Sequence, residues 1–282
     1  MLRLTRLAHP PGRRSVGASR RALARGLRCG AAAAALWLAA PSAASAQMEF
    51  HYQYGRLTNP FTGQRSPTSI LTIQHAGSWS LGDSFFFVDF LDDQLSDGFN
   101  QKDLYGEWYP TLSFSKLTNR TVGGGPVRDI ALIGGINFDA DANFMKYLPG
   151  IRVAWDVPGF LFLNTDITAF LDANDGAGPG DAPRTSDSFM FDINWGAVFD
   201  IGNQSFLFTG HAEYIGATTI EPVGGEVKSW VLAQPQLTWD LSKALNGTGN
   251  ELFVGVEYQY WGNKLGANGH DNVAQFLVIW RL

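Results

Sequence analysis

Four stretches of this 282-residue sequence place carboxylates an even number of residues from aromatic rings. Phe87 stands with Asp89, Tyr105 and Tyr109 flank Glu107, Phe162 and Phe170 flank Asp166, and Phe253 precedes Glu257. Asp192 and Glu213 sit in comparable stretches of their own. In an extended chain, side chains an even number apart share a face, so each ring and its carboxylate would look into the same space. Such a pairing recognises a solute without transforming it. The ring stacks on a planar group for roughly 1–3 kcal/mol, and the carboxylate accepts hydrogen bonds from hydroxyls. Weak sites of this kind suit conduction, where a solute must leave as easily as it enters. These residues are the candidate solute contacts.

Catalysis makes a poorer fit. A serine hydrolase needs a serine activated by a histidine that a third group orients. Beyond residue 46 the histidines are His51, His75, His211 and His270. His75 is expected to face outward with no serine–asparagine signature beside it, and His270 falls in a loop. An outer-membrane lipid hydrolase is therefore only a minor alternative, and no catalytic residue is assigned. No Cys/His cluster suggests zinc, and Asp172-Ala173-Asn174-Asp175-Gly176 opens like a calcium loop but lacks the distal glutamate. The glycines at 123–125 and 224–225 lead into no helix that could cradle phosphate. Neither a metal nor a cofactor is expected.

The elements that must position the candidates are strands of period two. Phe160 to Asp172 sets Leu161, Leu163, Thr165, Ile167, Ala169 and Leu171 on one face, opposite Asn164, Asp166, Thr168 and Asp172. Ser188 to Asp200 repeats the pattern. Similar segments are read at 48–55, 68–79, 84–92, 103–115, 128–138, 149–157, 203–215, 228–240, 251–262 and 272–282. About twelve strands result, an even number that returns both ends to one rim, as single-chain bacterial barrels require. Short turns near 80–83, 158–159 and 201–203 alternate with longer polar loops near 56–67, 93–102, 139–148, 173–185, 216–227 and 263–271. The supposed short-rim turns at 116–127 and 241–250 are long for that role. Trp79, Trp108, Tyr109, Trp155, Trp230, Trp239, Trp261 and Trp280 are candidates for interfacial girdles. The last strand alternates Phe276, Val278 and Trp280 against Gln275, Leu277, Ile279 and Arg281. Pro110 and Pro235 interrupt strand patterns, where bulges are the expected accommodation. The fold class is all-β, a membrane-spanning antiparallel up-and-down barrel. Its inward polar set also includes Gln74, Thr111, Ser113, Arg152, Asp156, Asn194, His211, Gln234, Gln236 and Gln259.

Residues 1–46 read as a cleaved secretory signal. Eight arginines and no acidic residue precede an apolar stretch of about ten residues and Ala44-Ser45-Ala46. That stretch is too short to cross roughly 30 Å of hydrocarbon. Residues 47–282 then form one domain. Of 21 basic residues, removing eight leaves 13 against 26 acidic ones, a formal charge near −13, which argues against nucleic acid as a partner. The only cysteine, Cys29, leaves with the signal, as suits an oxidising compartment. The expected location is the bacterial outer membrane, with lipid around a monomer delivered by the barrel-insertion machinery. A plugged barrel serving as surface receptor or adhesin is the alternative to a channel.

Glu107-Trp108-Tyr109-Pro110-Thr111-Leu112-Ser113-Phe114-Ser115-Lys116-Leu117-Thr118 resembles a stretch of the nucleoside-specific outer-membrane channels of the Tsx and OmpK group. Ser69 to Asp92, with Phe85-Phe86-Phe87, is similar to the same region of that group. The resemblance implies a twelve-stranded monomeric barrel with a narrow lumen that admits nucleosides through weak sites. It carries no individual nucleoside-contacting residue onto this chain.

Overall fold

Polar and apolar residues alternate through nearly every segment long enough to be a strand, and each such segment is one in the computed structural model, which describes residues 46–282 apart from 98, 177, 179 and 222. The strands are β1 (Ala46–Thr58), β2 (Arg65–Trp79), β3 (Gly82–Asp93), β4 (Asp103–Ser113), β5 (Val127–Asp139), β6 (Phe144–Trp155), β7 (Phe162–Asp172), β8 (Ser188–Ile201) and β9 (Gln204–Ile215), then β10 in two halves (Trp230–Ala233 and Gln236–Asp240), β11 (Leu252–Gly262) and β12 (His270–Arg281). Each pairs antiparallel with its neighbour in the chain. β1 pairs with β12, Phe50 opposite Trp280 and Tyr54 opposite Phe276, so the sheet closes as a twelve-stranded barrel. The expected signal, residues 1–46, lies outside the described residues except for Ala46, where β1 begins.

Closure removes every free edge, and alternation then gives the barrel two distinct surfaces. Leu71, Ile151, Ile167, Phe191, Val256 and Phe276 stand on the outer face, Ile167 with 63% of its surface exposed. A closed sheet with an apolar exterior and polar residues turned inward is built to span a bilayer.

Several details differ from the sequence expectations. The loop expected at 139–148 is a tight turn, and β6 begins at Phe144. Lys146 falls within this strand, where it turns inward and is neutralised by Asp172. The register runs unshifted through both prolines. Around Pro110 and Pro235 the ladder is interrupted without an inserted residue, because Trp108 pairs with Ile136 and Thr111 with Ile133, and Ala233 with Ala212 and Gln236 with Thr209. Gly210 faces Pro235, where a Cβ would lie 2.5 Å from the Gln234 carbonyl oxygen, and its φ of 146° suits glycine alone. The register shift that does occur is in β5, between Val127 and Asp129. Asp156 lies past the end of β6, exposed in the turn. Trp230 and Trp261 point inward and belong to no girdle. Trp230 shares its parity with Leu232 and packs edge-on against Phe170, whereas Trp261 shares its parity with Glu257 and Gln259 and lies beneath Lys264.

The two overlong turns are occupied by short capped helices, α1 (Phe114–Thr118) and α2 (Leu241–Asn246). The Ser113 and Asp240 side chains accept from the backbone N–H groups of Lys116 and Lys243, and Asn119 and Gly247 end the helices in left-handed conformations. Lys116, within the stretch that resembles the nucleoside channels, reaches across to the β2–β3 turn. Its Nζ donates to Ser78 Oγ (2.8 Å), to the carbonyls of Trp79 (3.2 Å) and Gly82 (2.6 Å), and to Asp83 (3.1 Å). Lys116→Met is expected to lower barrel stability by about 1–2 kcal/mol, discounted for its partial exposure. Urea unfolding in lipid vesicles checks this, and an unchanged midpoint would show that the turn holds without the clamp.

Candidate lumen site

The barrel registers place all of the candidate contacts on inward positions. Gln74 faces Phe87, Asp89 faces Tyr105, Phe87 faces Glu107, Asp166 faces Asp192, Asp192 faces Glu213 and Gln236 faces Glu257. Inside this face the residues separate by packing.

Phe87 and Tyr105 form one wall. Their ring centroids are 6.1 Å apart, and Phe85 continues the series 6.1 Å from Phe87. Asp89 lies directly opposite Tyr105 and accepts from Thr72 (2.6 Å). The Tyr105 hydroxyl donates to Glu107, which also accepts from Asn137 (3.0 Å). Rings and carboxylates thus share the inner face of β3 and β4. Around the barrel, Arg152 clasps Asp166 through two bonds of 2.7 and 2.6 Å, Asn194 donates to Asp192 (2.7 Å), and Asn164 donates to Asn194 (2.9 Å).

Tyr109 and Phe170 instead join an apolar cluster with Ile133, Leu148, Met190 and Ile215, the Tyr109 hydroxyl finding Asn137 at 2.7 Å. Phe253 packs with Leu207, Leu277 and Ile279 beneath the Arg281 guanidinium, 4.7 Å from its ring. Phe162 stands near the short-turn end of the lumen, over Gly196 and 38% exposed.

Glu257 has a different environment. Four glutamine amides donate to its carboxylate, from Gln53 (2.6 Å), Gln234 (3.1 Å), Gln236 (2.8 Å) and Gln275 (2.9 Å). They come from β1, β10 and β12, so this carboxylate on β11 gathers the strands at the seam. Beside it, Glu49 accepts from Arg281 (2.8 Å) and Gln74 (3.0 Å) and meets His51 Nε2 at 2.8 Å. Glu49, His51, Gln53 and Gln275 were absent from the sequence-derived inward set. The signal was present, since Met48-Glu49-Phe50-His51-Tyr52-Gln53-Tyr54 alternates strictly.

The histidine–carboxylate group is the most concentrated. Asp192 Oδ2 lies 3.2 Å from His211 Nδ1, and Nε2 of the same ring lies 2.9 Å from Gln234 Oε1. One ligand-type atom from each of Asp192, His211 and Glu213 falls within 4.8 Å of the other two. At the long-loop end, Lys146 bonds to Asp172 and Thr185 between the rings of Phe144 and Phe170. Lys264, in the loop before β12, pairs with Asp271 at 3.0 Å over the Trp261 ring. Neither lysine was singled out from the sequence.

No family model matches this chain, and no curated protein does. Among solved structures it is similar to the KdgM porin, at 9% identity, over 82% of this chain and 98% of that one, with a TM-score of 0.45. It is also similar to an outer-membrane channel from Pseudomonas putida F1, at 10% identity over 86% and 97%, with a TM-score of 0.49. A third is the beta domain of the Bordetella autotransporter BrkA, at 13% identity over 85% and 99%, with a TM-score of 0.36.

Proposed function

We propose that the chain is an outer-membrane channel through which small polar solutes diffuse, nucleosides first among them, and that it works as a non-enzymatic monomer surrounded by lipid. The supporting observation is the accessibility of the inner face. Gln74, Phe87, Asp89, Tyr105, Arg152 and His211 point into a closed barrel, yet each keeps a part of its surface open to water. In a closed barrel an inward side chain can meet water only in the lumen, so these residues line an aqueous space. Its chemistry combines rings, carboxylates and amides, and its acidic surplus favours neutral or cationic solutes over anions. Export follows from the expected signal at residues 1–46. Phe87, Tyr105 and Asp89 offer a stacking surface beside an acceptor, the pairing a nucleoside would use.

The test is single-channel conductance of the refolded barrel in planar bilayers, with adenosine, thymidine, glucose and an amino acid added in turn. Saturable block by nucleosides alone is expected. Phe87→Ala is expected to weaken that block by about fivefold to a hundredfold, from loss of a stacking contact of roughly 1–3 kcal/mol. Block that survives the substitution unchanged would remove Phe87 from the site, and conductance indifferent to nucleosides would remove the substrate. A second reading, a plugged barrel acting through its outer loops, draws support from the buried Lys146 and Lys264 ion pairs at the long-loop end. Absence of conductance would favour it.

A further inference from the structure

Glu213 is 8% exposed and its carboxylate makes no hydrogen bond among the described residues, although it lies beside a histidine and another carboxylate. A buried carboxylate normally recruits donors, as Glu257 does with its four amides. Glu213 sits instead with one carboxylate oxygen within 4.8 Å of a ligand-type atom of both Asp192 and His211, on the inner face of β8 and β9. No lysine or arginine hydrogen bonds to any of the three among the described residues.

We propose that Asp192, His211 and Glu213 form a binding site for a divalent first-row transition-metal cation of the zinc type. The donor set is one imidazole and two carboxylates, borderline chemistry that favours zinc over calcium or magnesium. The spacing agrees with this, because two ligand atoms each about 2.1 Å from one ion lie roughly 3.0–3.4 Å apart, and Asp192 Oδ2 and His211 Nδ1 are separated by 3.2 Å. The supporting shell is already in place. Gln234 Oε1 accepts from His211 Nε2–H, so that the ring nitrogen to lose its proton to an incoming ion is Nδ1, and Asn194 holds the other Asp192 oxygen. When the ion enters, the proton that Nδ1 shares with Asp192 leaves to solvent, and Glu213 supplies the third ligand. The site is independent of whether nucleosides pass, because its ligands belong to the β8–β9 wall and the aromatic wall to β3 and β4.

The experiment is isothermal titration of untagged protein, purified from membranes in detergent after chelation and dialysis, with zinc chloride and separately with calcium chloride. One zinc per chain is expected, calcium binding at least a hundredfold more weakly, and X-ray absorption should show a nitrogen–oxygen shell containing one imidazole. Glu213→Gln and His211→Gln should each weaken zinc by tenfold or more. Glu226→Gln, in an outer loop, should change nothing. Unchanged heat-modifiable migration on gels certifies that each variant is folded. The assignment is overturned by no saturable zinc binding to the folded parent, by binding that Glu213→Gln leaves intact, or by a shell without imidazole.

Discussion

Asp271→Asn is expected to destabilise the barrel by roughly 3–5 kcal/mol, the cost typical of breaking a buried ion pair from one side. Asp271 is 2% exposed and Lys264 is 3% exposed. Burial pushes the Lys264 ammonium below its usual value, and the attraction of Asp271 opposes that shift. With the carboxylate gone, the ammonium would keep only the Trp261 and Phe99 rings, and its desolvation would be uncompensated. Thr58 would also lose charge-assisted bonds, since its backbone N–H and its hydroxyl both donate to Asp271, at 3.0 and 2.8 Å. Asp271 thereby joins β12 to the end of β1 and ties the last outer loop to both. Removing both charges together, as Lys264→Met with Asp271→Leu, should recover most of the loss, because no orphan charge remains. Urea unfolding of the two variants in vesicles separates the cases. A double variant as unstable as Asp271→Asn would show that the Thr58 bonds, and not the ion pair, carry the stability.

The barrel was legible because its physics repeats. A strand with lipid on one side and a lumen on the other must alternate, and parity alone placed Phe87, Glu107, Asp166, Asp192 and Glu257 inward in agreement with the registers. Misreadings arose where local chemistry imitated a loop or a defect. The stretch 139–148 reads as polar loop in sequence, whereas β6 already begins at Phe144 and Lys146 is accommodated there by Asp172, 26 residues on. The prolines suggested bulges, but pairing can lapse for two residues and resume in register, with Gly210 making room for Pro235. Parity could also have recovered Glu49, His51 and Gln53. What it cannot supply is depth of packing. Tyr105 and Tyr109 have the same parity and stand four residues apart, yet one lines the lumen and the other belongs to an apolar cluster. Only the barrel's shear and the side chains from opposite walls decide that. The convergence of Asp192 and Glu213 with His211 was partly visible, since all three were assigned inward, but their adjacency depends on the β8–β9 register.

Glu257→Leu is expected to cost about 4 kcal/mol, from four amide donors deprived of an acceptor at roughly 1–3 kcal/mol for each that cannot re-pair. Glu257 is 2% exposed and Gln275 is fully buried, so water cannot replace the carboxylate without opening the wall. The donors come from strands on both sides of the seam, and losing their common acceptor should loosen β11 against β10 and β12 together. Gln236→Leu, which removes a single donor, should cost about 1 kcal/mol, so the ratio between the two variants measures how far the four bonds act as one unit. Urea midpoints in vesicles give both values. The result also bears on conduction. If Glu257→Leu falls within 1 kcal/mol of the parent, water must reach the four amides, and the aqueous space would extend from the Phe87–Tyr105 wall across to the seam, a lumen wider than one planar solute needs. If the full loss is observed, the seam side is a dry and rigid backing. The passage is then confined between the aromatic wall and the β6–β9 polar residues, narrow enough for a ring on one side and a carboxylate on the other to touch the same molecule.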